Sequence, residues 1–547
     1  MDRLRAQSIS SVSISAKMKS PQSTPVVPEK SSASSPIAVS GPPELPLSRS
    51  YLWAQALILV WLYSFSEILS LRIAYVADPD IWWHLRTAEW ILQNRALPPT
   101  GRDPFSSLGV GNIWASYSWL FELLVLQFFR RLGLVGIVAY TTGMVVAITV
   151  ALHRLIQRLQ ANFPLAVVLT VIASYSVSRL YTPRPWLFTI LFFVLEIDIL
   201  MQARRSGKIR ELLWLPIIFG LWANLHIQFI DGLLVLAIAL AEAVLTQRWN
   251  AIRTRLRAGW MCGIFLACIL ATLVNPYGWN IYKIAYTLGT QAGVLSYVVE
   301  SQALPFRSLS DWSVLLLALA TAGVSARNRR FAFFECVTFA FAVFLSFRSQ
   351  RDIWVLVIVA CAVLASGIKR GEGDRCRVTL PAALVIAIAT GLVVFLGFRL
   401  QHIDDAHLHV QLAEGLPVRA VEVVKERGWS GPLYNDFEWG GYLIWKLRIP
   451  VVIDGRAALY GDERINRSIA TWGGQPDWAS DPDLVKAGLV IGPVETPLIQ
   501  LLRMDPRFEL AYEDKLAAVF VARKAQSPGS ARVTAAGVGM PANPPRQ

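Results

Sequence analysis

Between Tyr51 and residue 399 the chain is a succession of apolar runs separated by loops, most of them short. The first covers Tyr51 to about Ile73. Others follow at 117–132, 134–152, 163–180, 186–203, 211–225, 227–246, 258–275, 311–325, 331–346, 351–367 and 379–399. Inside a bilayer every backbone amide must find its partner within its own segment, so runs of this kind fold as helices. A full span takes about 20 residues, and several runs are shorter. The expected fold is a polytopic α-helical membrane protein with about 11–13 helices in residues 49–400, followed by a small soluble α/β domain. A chain with 54% hydrophobic and 16% charged residues is too apolar for a soluble protein. Its 20 Trp suit aromatic belts at the two membrane surfaces.

The net charge of +14 is no mark of nucleic-acid binding, because the basic residues fall in short loops between apolar runs. These loops are Arg204 to Arg210, Arg248 to Arg257, Arg327 to Arg330 and Lys369 to Arg377. The positive-inside rule assigns them to the cytoplasm. They share one side if 211–225 and 227–246 each cross, and that side is the cytoplasm, with a cytoplasmic N-terminus, if 117–132 does not span. The other side then holds the first long loop, 74–116, and everything after residue 400. This is the layout of a multi-pass membrane protein with its C-terminal domain outside the cytoplasm. Residues 1–48 and 525–547 are rich in Ser, Pro, Gly or Ala and are expected to be disordered. The N-terminal tail is too long and polar for a cleaved signal peptide, so the first run reads as a signal anchor. Cys262, Cys268, Cys336, Cys361 and Cys376 show neither metal-ligand spacing nor a disulfide framework.

The candidate functional centre is Asp78-Pro79-Asp80-Ile81-Trp82-Trp83-His84-Leu85-Arg86, directly after the first run. Asp78 before Pro79 predicts a helix start, with Asp at the N-cap and Pro at the first helical position. Ile81, Leu85, Ala88 and Leu92 would form its apolar stripe. Trp82, Trp83 and Trp90 would set it in the lipid interface. Asp80 and His84, four apart, would share a face. The plain alternative is that Asp78 only caps and Asp80 only favours the helix dipole. Ionisable groups at a membrane mouth nevertheless point to a functional site.

A first exported loop with an acidic pair on a juxtamembrane helix resembles the C-type glycosyltransferase (GT-C) superfamily, in a bacterial branch with a C-terminal α/β domain. The matching stretches are Asp78 to Leu92, Asp103 to Ser106, Trp119 to Glu122, Trp222 to His226, Val274 to Gly278, Tyr434 to Tyr442 and Ile453 to Arg456. The likeness covers roughly residues 50–520. It implies a polyprenyl-phosphate-linked sugar donor, an acceptor in the cell envelope, and an acidic residue acting as general base on the acceptor hydroxyl. Asp80 takes that role, since Asp78 has the competing capping task. Asp78 would orient the site or, with Asp80, hold a divalent cation, magnesium or manganese, which some members of the superfamily require and others do not. Arg86, Arg184, Arg348 and Arg351 are the candidates to neutralise the leaving phosphate. Arg184 stands out because Pro183 and Pro185 stiffen its turn.

His84, Asn224, His226 and Glu122 are further candidates, as catalytic or substrate contacts or as satisfied buried residues. Asn275-Pro276-Tyr277-Gly278 reads as a helix-ending turn. In residues 401–524, Val418 to Lys425 reads as a helix, and Gly441 to Leu447, Val451 to Ile453 and Leu516 to Val521 as strands. Asn435, Asp436, Asp454 and Arg456 either stabilise turns or join Trp439, Tyr442 and Trp445 in a carbohydrate-binding face. Two other functions compete: a transporter or flippase of lipid-linked saccharides, which should show internal repeats and mid-membrane charges, and a non-catalytic scaffold with an envelope-binding domain.

Overall fold

The computed structural model describes residues 49–73, 78–108, 114–248, 254–290, 298–328, 332–368 and 378–523. Both expected disordered tails, the loop Lys369 to Arg377 and parts of two other basic loops lie outside them. From Ser50 onward the described residues form one compact unit.

The membrane part begins with α1 (Arg49–Ile73), α2 (Ile81–Asn94), α3 (Trp119–Leu132), α4 (Leu134–Leu159), α5 (Phe163–Val177) and α6 (Trp186–Ser206). It continues through α7 (Leu215–Leu225), α8 (Phe229–Arg248), α9 (Ala258–Thr272), α10 (Asn280–Thr290), α11 (Leu309–Asn328), α12 (Phe333–Arg348), α13 (Ile353–Gly367) and α14 (Leu380–Leu400). Eight helical stretches among the described residues are long and apolar enough to cross a bilayer. Stretch 117–132 is not among them. Its helix α3 has 14 residues and ends on Arg130 and Arg131, about 21 Å of helix against a hydrocarbon core of about 30 Å.

Helix α2 departs from expectation at both ends of the argument. It starts at Ile81 with Asp80 at the N-cap position, and no side chain caps it. Asp78 instead accepts a hydrogen bond from the Asp80 amide at 3.0 Å, because both carboxylates turn toward an arginine described below. Nor does α2 lie in lipid: Trp82 and Trp83 are 1% and 5% exposed. The helix is sandwiched between α3 and the C-terminal region.

That region contains α15 (Asp405–Gly415), α16 (Val418–Arg427), α17 (Gly440–Leu447) and α18 (Ala457–Trp472), with two shorter helices beyond. Its sheet has the order β1-β2-β4-β3, from β1 (Leu433–Asn435), β2 (Leu489–Pro493), β3 (Phe508–Glu513) and β4 (Ala517–Ala522). β1 runs parallel to β2, and the other pairs are antiparallel. The expected helix at Val418 and strand near Leu516 are present.

The two expected strands between them are absent. Residues 440–447 form α17, since a short continuous apolar run fits a buried helix as well as a strand. Its Tyr442 ring meets Trp82 edge-on at 5.2 Å. Val451 forms an isolated parallel bridge with Ser106 of the first loop. Next to it, Asn435 Oδ1 accepts from the Val452 amide at 3.0 Å, and Asn435 Nδ2 donates to the Ile453 carbonyl at 2.7 Å. Backbone groups that a sheet ladder would have used are thus spent on the first loop and on a side chain. Trp439, Tyr442, Trp445, Asp454 and Arg456 are buried, so they offer no open face on which a sugar could stack.

Candidate active site

Arg184 is the hub of the site. Pro183 and Pro185 fix its turn at the entry to α6, and its guanidinium gathers three carboxylates. Nε donates to Asp78 Oδ2 at 2.7 Å, and Nη1 lies 2.9 Å from Asp80 Oδ2 and 3.0 Å from Glu300 Oε1. Burial opposes the charge on Arg184, but Asp78, Asp80 and Glu300 outweigh it and raise its pKa well above the usual value. For Asp80, burial is the largest influence. It pushes the carboxyl up to about 6 against the pull of Arg184.

Asp80 and Arg184 line a cavity of about 500 Å³. His84, His226, Arg348 and Arg351 line the same space, together with Tyr117, Asp231, Glu300, Asp352 and Arg456. The structure therefore brings together most of the residues singled out from the sequence. Arg86, Asn224, Glu122 and Asp78 do not line it. Arg86 lies 3.4 Å from Glu89 and over the Phe105 ring. Asn224 is fully engaged: its Oδ1 accepts from Trp119 Nε1, and its Nδ2 donates to the Gly220 and Val274 carbonyls. Glu122 sits behind the wall, 3.2 Å from His84 Nδ1. Burial holds His84 well below and Glu122 well above their ordinary pKa values, so the pair is a neutral hydrogen bond rather than an ion pair. Asn275 forms the expected turn, accepting from the Tyr277 amide at 2.7 Å.

Glu300 was not singled out from the sequence. It stands alone in Val-Val-Glu-Ser, with no motif around it, and only tertiary packing takes it to Arg184. Arg456 was expected in the C-terminal domain, but its place in the cavity wall was not. It is 2% exposed and grips Asp103 of the first loop through two bonds, of 2.7 and 3.0 Å. Two more bonds, of 2.8 and 2.7 Å, hold Asp454. Between these residues, Gly455 presses against Asp80. A Cβ on it would fall 1.9 Å from Asp80 Oδ1. The C-terminal domain thus supplies one wall of the site.

The acidic pair does not suit a resident divalent cation. Asp78 Oδ1 is taken by the Asp80 amide, and Asp78 Oδ2 and Asp80 Oδ2 by Arg184. Among the described residues no three His, Cys, Asp or Glu side chains cluster as metal ligands.

Fold and site together define a polytopic helical membrane protein whose polar cavity is shared between the membrane bundle and a C-terminal α/β domain. No family model matches the chain, and no curated protein matches it. Two solved structures of ArnT from Cupriavidus metallidurans are similar along most of its length. The one bound to undecaprenyl phosphate shows 12% identity and a TM-score of 0.44, covering 87% of this chain and 98% of that one. The apo form shows 13% identity and a TM-score of 0.47, covering 86% and 98%.

Proposed function

We propose that the chain is a membrane glycosyltransferase. It moves a sugar, a hexose or a pentose, from a polyprenyl-phosphate-linked donor to an acceptor hydroxyl on the non-cytoplasmic side of a bacterial inner membrane. The observation that carries this reading is the cavity itself: Asp80, held in place by Arg184, shares it with Arg348 and Arg351 at the mouth of a membrane bundle. Asp80 takes the proton of the acceptor hydroxyl as its oxygen bonds to the anomeric carbon. The bond from that carbon to the phosphate oxygen breaks, and the electron pair leaves with the polyprenyl phosphate. Cationic side chains stabilise the charge that develops there.

Helix α6 supports the assignment of sides. Arg184 precedes this helix, and Arg204 and Arg205 close it. Its 21 residues rise about 31 Å, one bilayer core. If the basic end faces the cytoplasm, the cavity and the C-terminal domain face away from it.

The test is a reconstituted assay in liposomes, with a panel of radiolabelled polyprenyl-phosphate sugars and extracted envelope acceptors. Asp80→Asn should lower transfer by at least about 10²-fold while the protein inserts and melts normally. Transfer by this variant at the wild-type rate would remove Asp80 as base and the reading with it.

A further inference from the structure

The two cationic regions of the cavity are not equivalent. Around Arg184 stand three carboxylates, and its Nε and Nη1 are both occupied. An incoming phosphate would meet more negative than positive charge there. The other region has Arg348 and Arg351 beside Asp231 and Asp352, a balanced set, and it holds donors with nothing to bind. Arg351 Nε is buried and has no partner, and the same is true of His226 Nε2.

The proton on His226 can be placed from its neighbours. Trp222 Nε1 donates to Thr189 Oγ1 at 2.8 Å. Thr189 Oγ1 lies 2.8 Å from His226 Nδ1. Nδ1 is the acceptor within reach of the hydroxyl's own hydrogen, so the arrangement that leaves that hydrogen paired puts the ring proton on Nε2. Burial first, and then the charge of Arg351, hold the imidazole well below its ordinary pKa, so it stays neutral. His226 is 0% exposed and lines the cavity. Two buried N–H donors without acceptors, in one cavity, each carry a desolvation cost that a bound oxyanion would relieve. Arg351 is also braced, its guanidinium 5.2 Å from the Trp186 ring centroid, the same ring over which Arg184 lies at 4.8 Å.

We infer that Arg351 and His226 form the phosphate-binding pole of the cavity, and that Arg184 is a positioning residue for Asp80 and not a phosphate ligand. The inference rests on the proposed transferase function for the identity of the ligand as a phosphate ester, but the pole itself is defined by its donors. It reverses the expectation drawn from the Pro-Arg-Pro turn. That turn makes Arg184 rigid, and its rigidity serves the carboxylates.

The test measures binding apart from turnover. The full-length protein in detergent micelles is titrated with a short-chain polyprenyl monophosphate, and in parallel with inorganic phosphate as competitor. Arg351→Lys keeps the charge but loses the Nε–H fork, and should weaken lipid-phosphate binding at least about tenfold. His226→Phe should weaken it about five- to tenfold, and His226→Gln should recover part of that through its amide N–H. Arg184→Lys should bind within about threefold of wild type yet transfer sugar slowly, with the loss in kcat and not in KM. Melting curves with the lipid phosphate serve as a second measurement for a variant of low stability, since a competent site raises the midpoint. Displacement of the lipid by inorganic phosphate would support a site for the phosphate group itself. Equal binding by all variants, indifferent to inorganic phosphate, would leave only the tail as anchor and overturn the inference. A binding loss confined to Arg184→Lys would overturn it as well. The proposed function fails separately: binding that follows the predicted pattern, with no sugar transfer by the wild type from any donor, would sink the transferase reading and leave the anion site standing.

Discussion

Replacing Gly455 by Ala puts the wall formed by the C-terminal domain to a direct test. The new Cβ would lie 1.9 Å from Asp80 Oδ1, where ordinary contact begins at 3.4 Å, so the two must separate by 1.5 Å. Gly455 lies outside the left-handed region of backbone space, so alanine introduces no backbone strain and the effect is steric. Asp80 has little room to yield without lengthening its 2.9 Å contact with Arg184. Lengthening that buried ion pair weakens the attraction that holds Asp80 in place. A displacement of about 1 Å at a reacting group costs on the order of 10²-fold in rate. The overpacking itself should cost about 1–3 kcal/mol of stability, less if the carboxylate rotates. The expected outcome is a fall in kcat of about 10² with an unchanged donor KM, in protein that still melts cooperatively in detergent. Wild-type kcat in a folded Gly455→Ala protein would show that the wall does not position Asp80, and would refute the geometry on which its role depends.

The pH profile follows from the same carboxylate. A base must be ionised, and burial places the Asp80 pKa at about 6. The ratio kcat/KM should therefore climb about tenfold per pH unit below that value and level off above it. A profile that is flat down to about pH 4.5 would exclude Asp80 as the titrating base. Stability depends on a different cluster. Arg456→Ala leaves Asp103 and Asp454 buried without their cation, which should cost about 3–5 kcal/mol, seen as a large drop in melting temperature. An unchanged midpoint would mean that the triad contributes little.

The membrane architecture was legible because hydrocarbon permits so few backbone solutions, and the apolar runs had no other use. The acidic motif was legible as polar groups in a costly place, and Arg184 through the prolines on either side. What joins them was not. Glu300 reaches Arg184 only through the packing of a segment that carries no motif. The donor state of His226 depends on Trp222, one turn back in α7, and on Thr189 of α6, a pairing across two helices that no sequence spacing reveals. The C-terminal domain misled for a physical reason. Tyr442, Leu443, Ile444 and Trp445 are all buried, and a run with no polar face carries no period by which a helix can be told from a strand. The aromatic residues that suggested a sugar platform are spent on packing instead: Tyr442 against Trp82 of α2, Trp445 against Phe129 of α3, and Trp439 in a hydrogen bond to the Gly415 carbonyl.

The bonds between Asp103 and Arg456 join residues 353 apart in sequence. Ribosomes add about 5–20 residues per second, so Arg456 emerges roughly 20–70 s after Asp103 at those rates. During that interval the first loop and α2 have left the ribosome, but the partner that fixes them does not yet exist. Trp82 and Trp83 then lack the cover of α17, and Asp103 lacks its cation. The site can therefore close only after the last bundle helix, which ends at Leu400, when the C-terminal domain as far as Arg456 has followed it. A chain truncated before Arg456 would carry the acidic motif intact and still be unable to hold it in place.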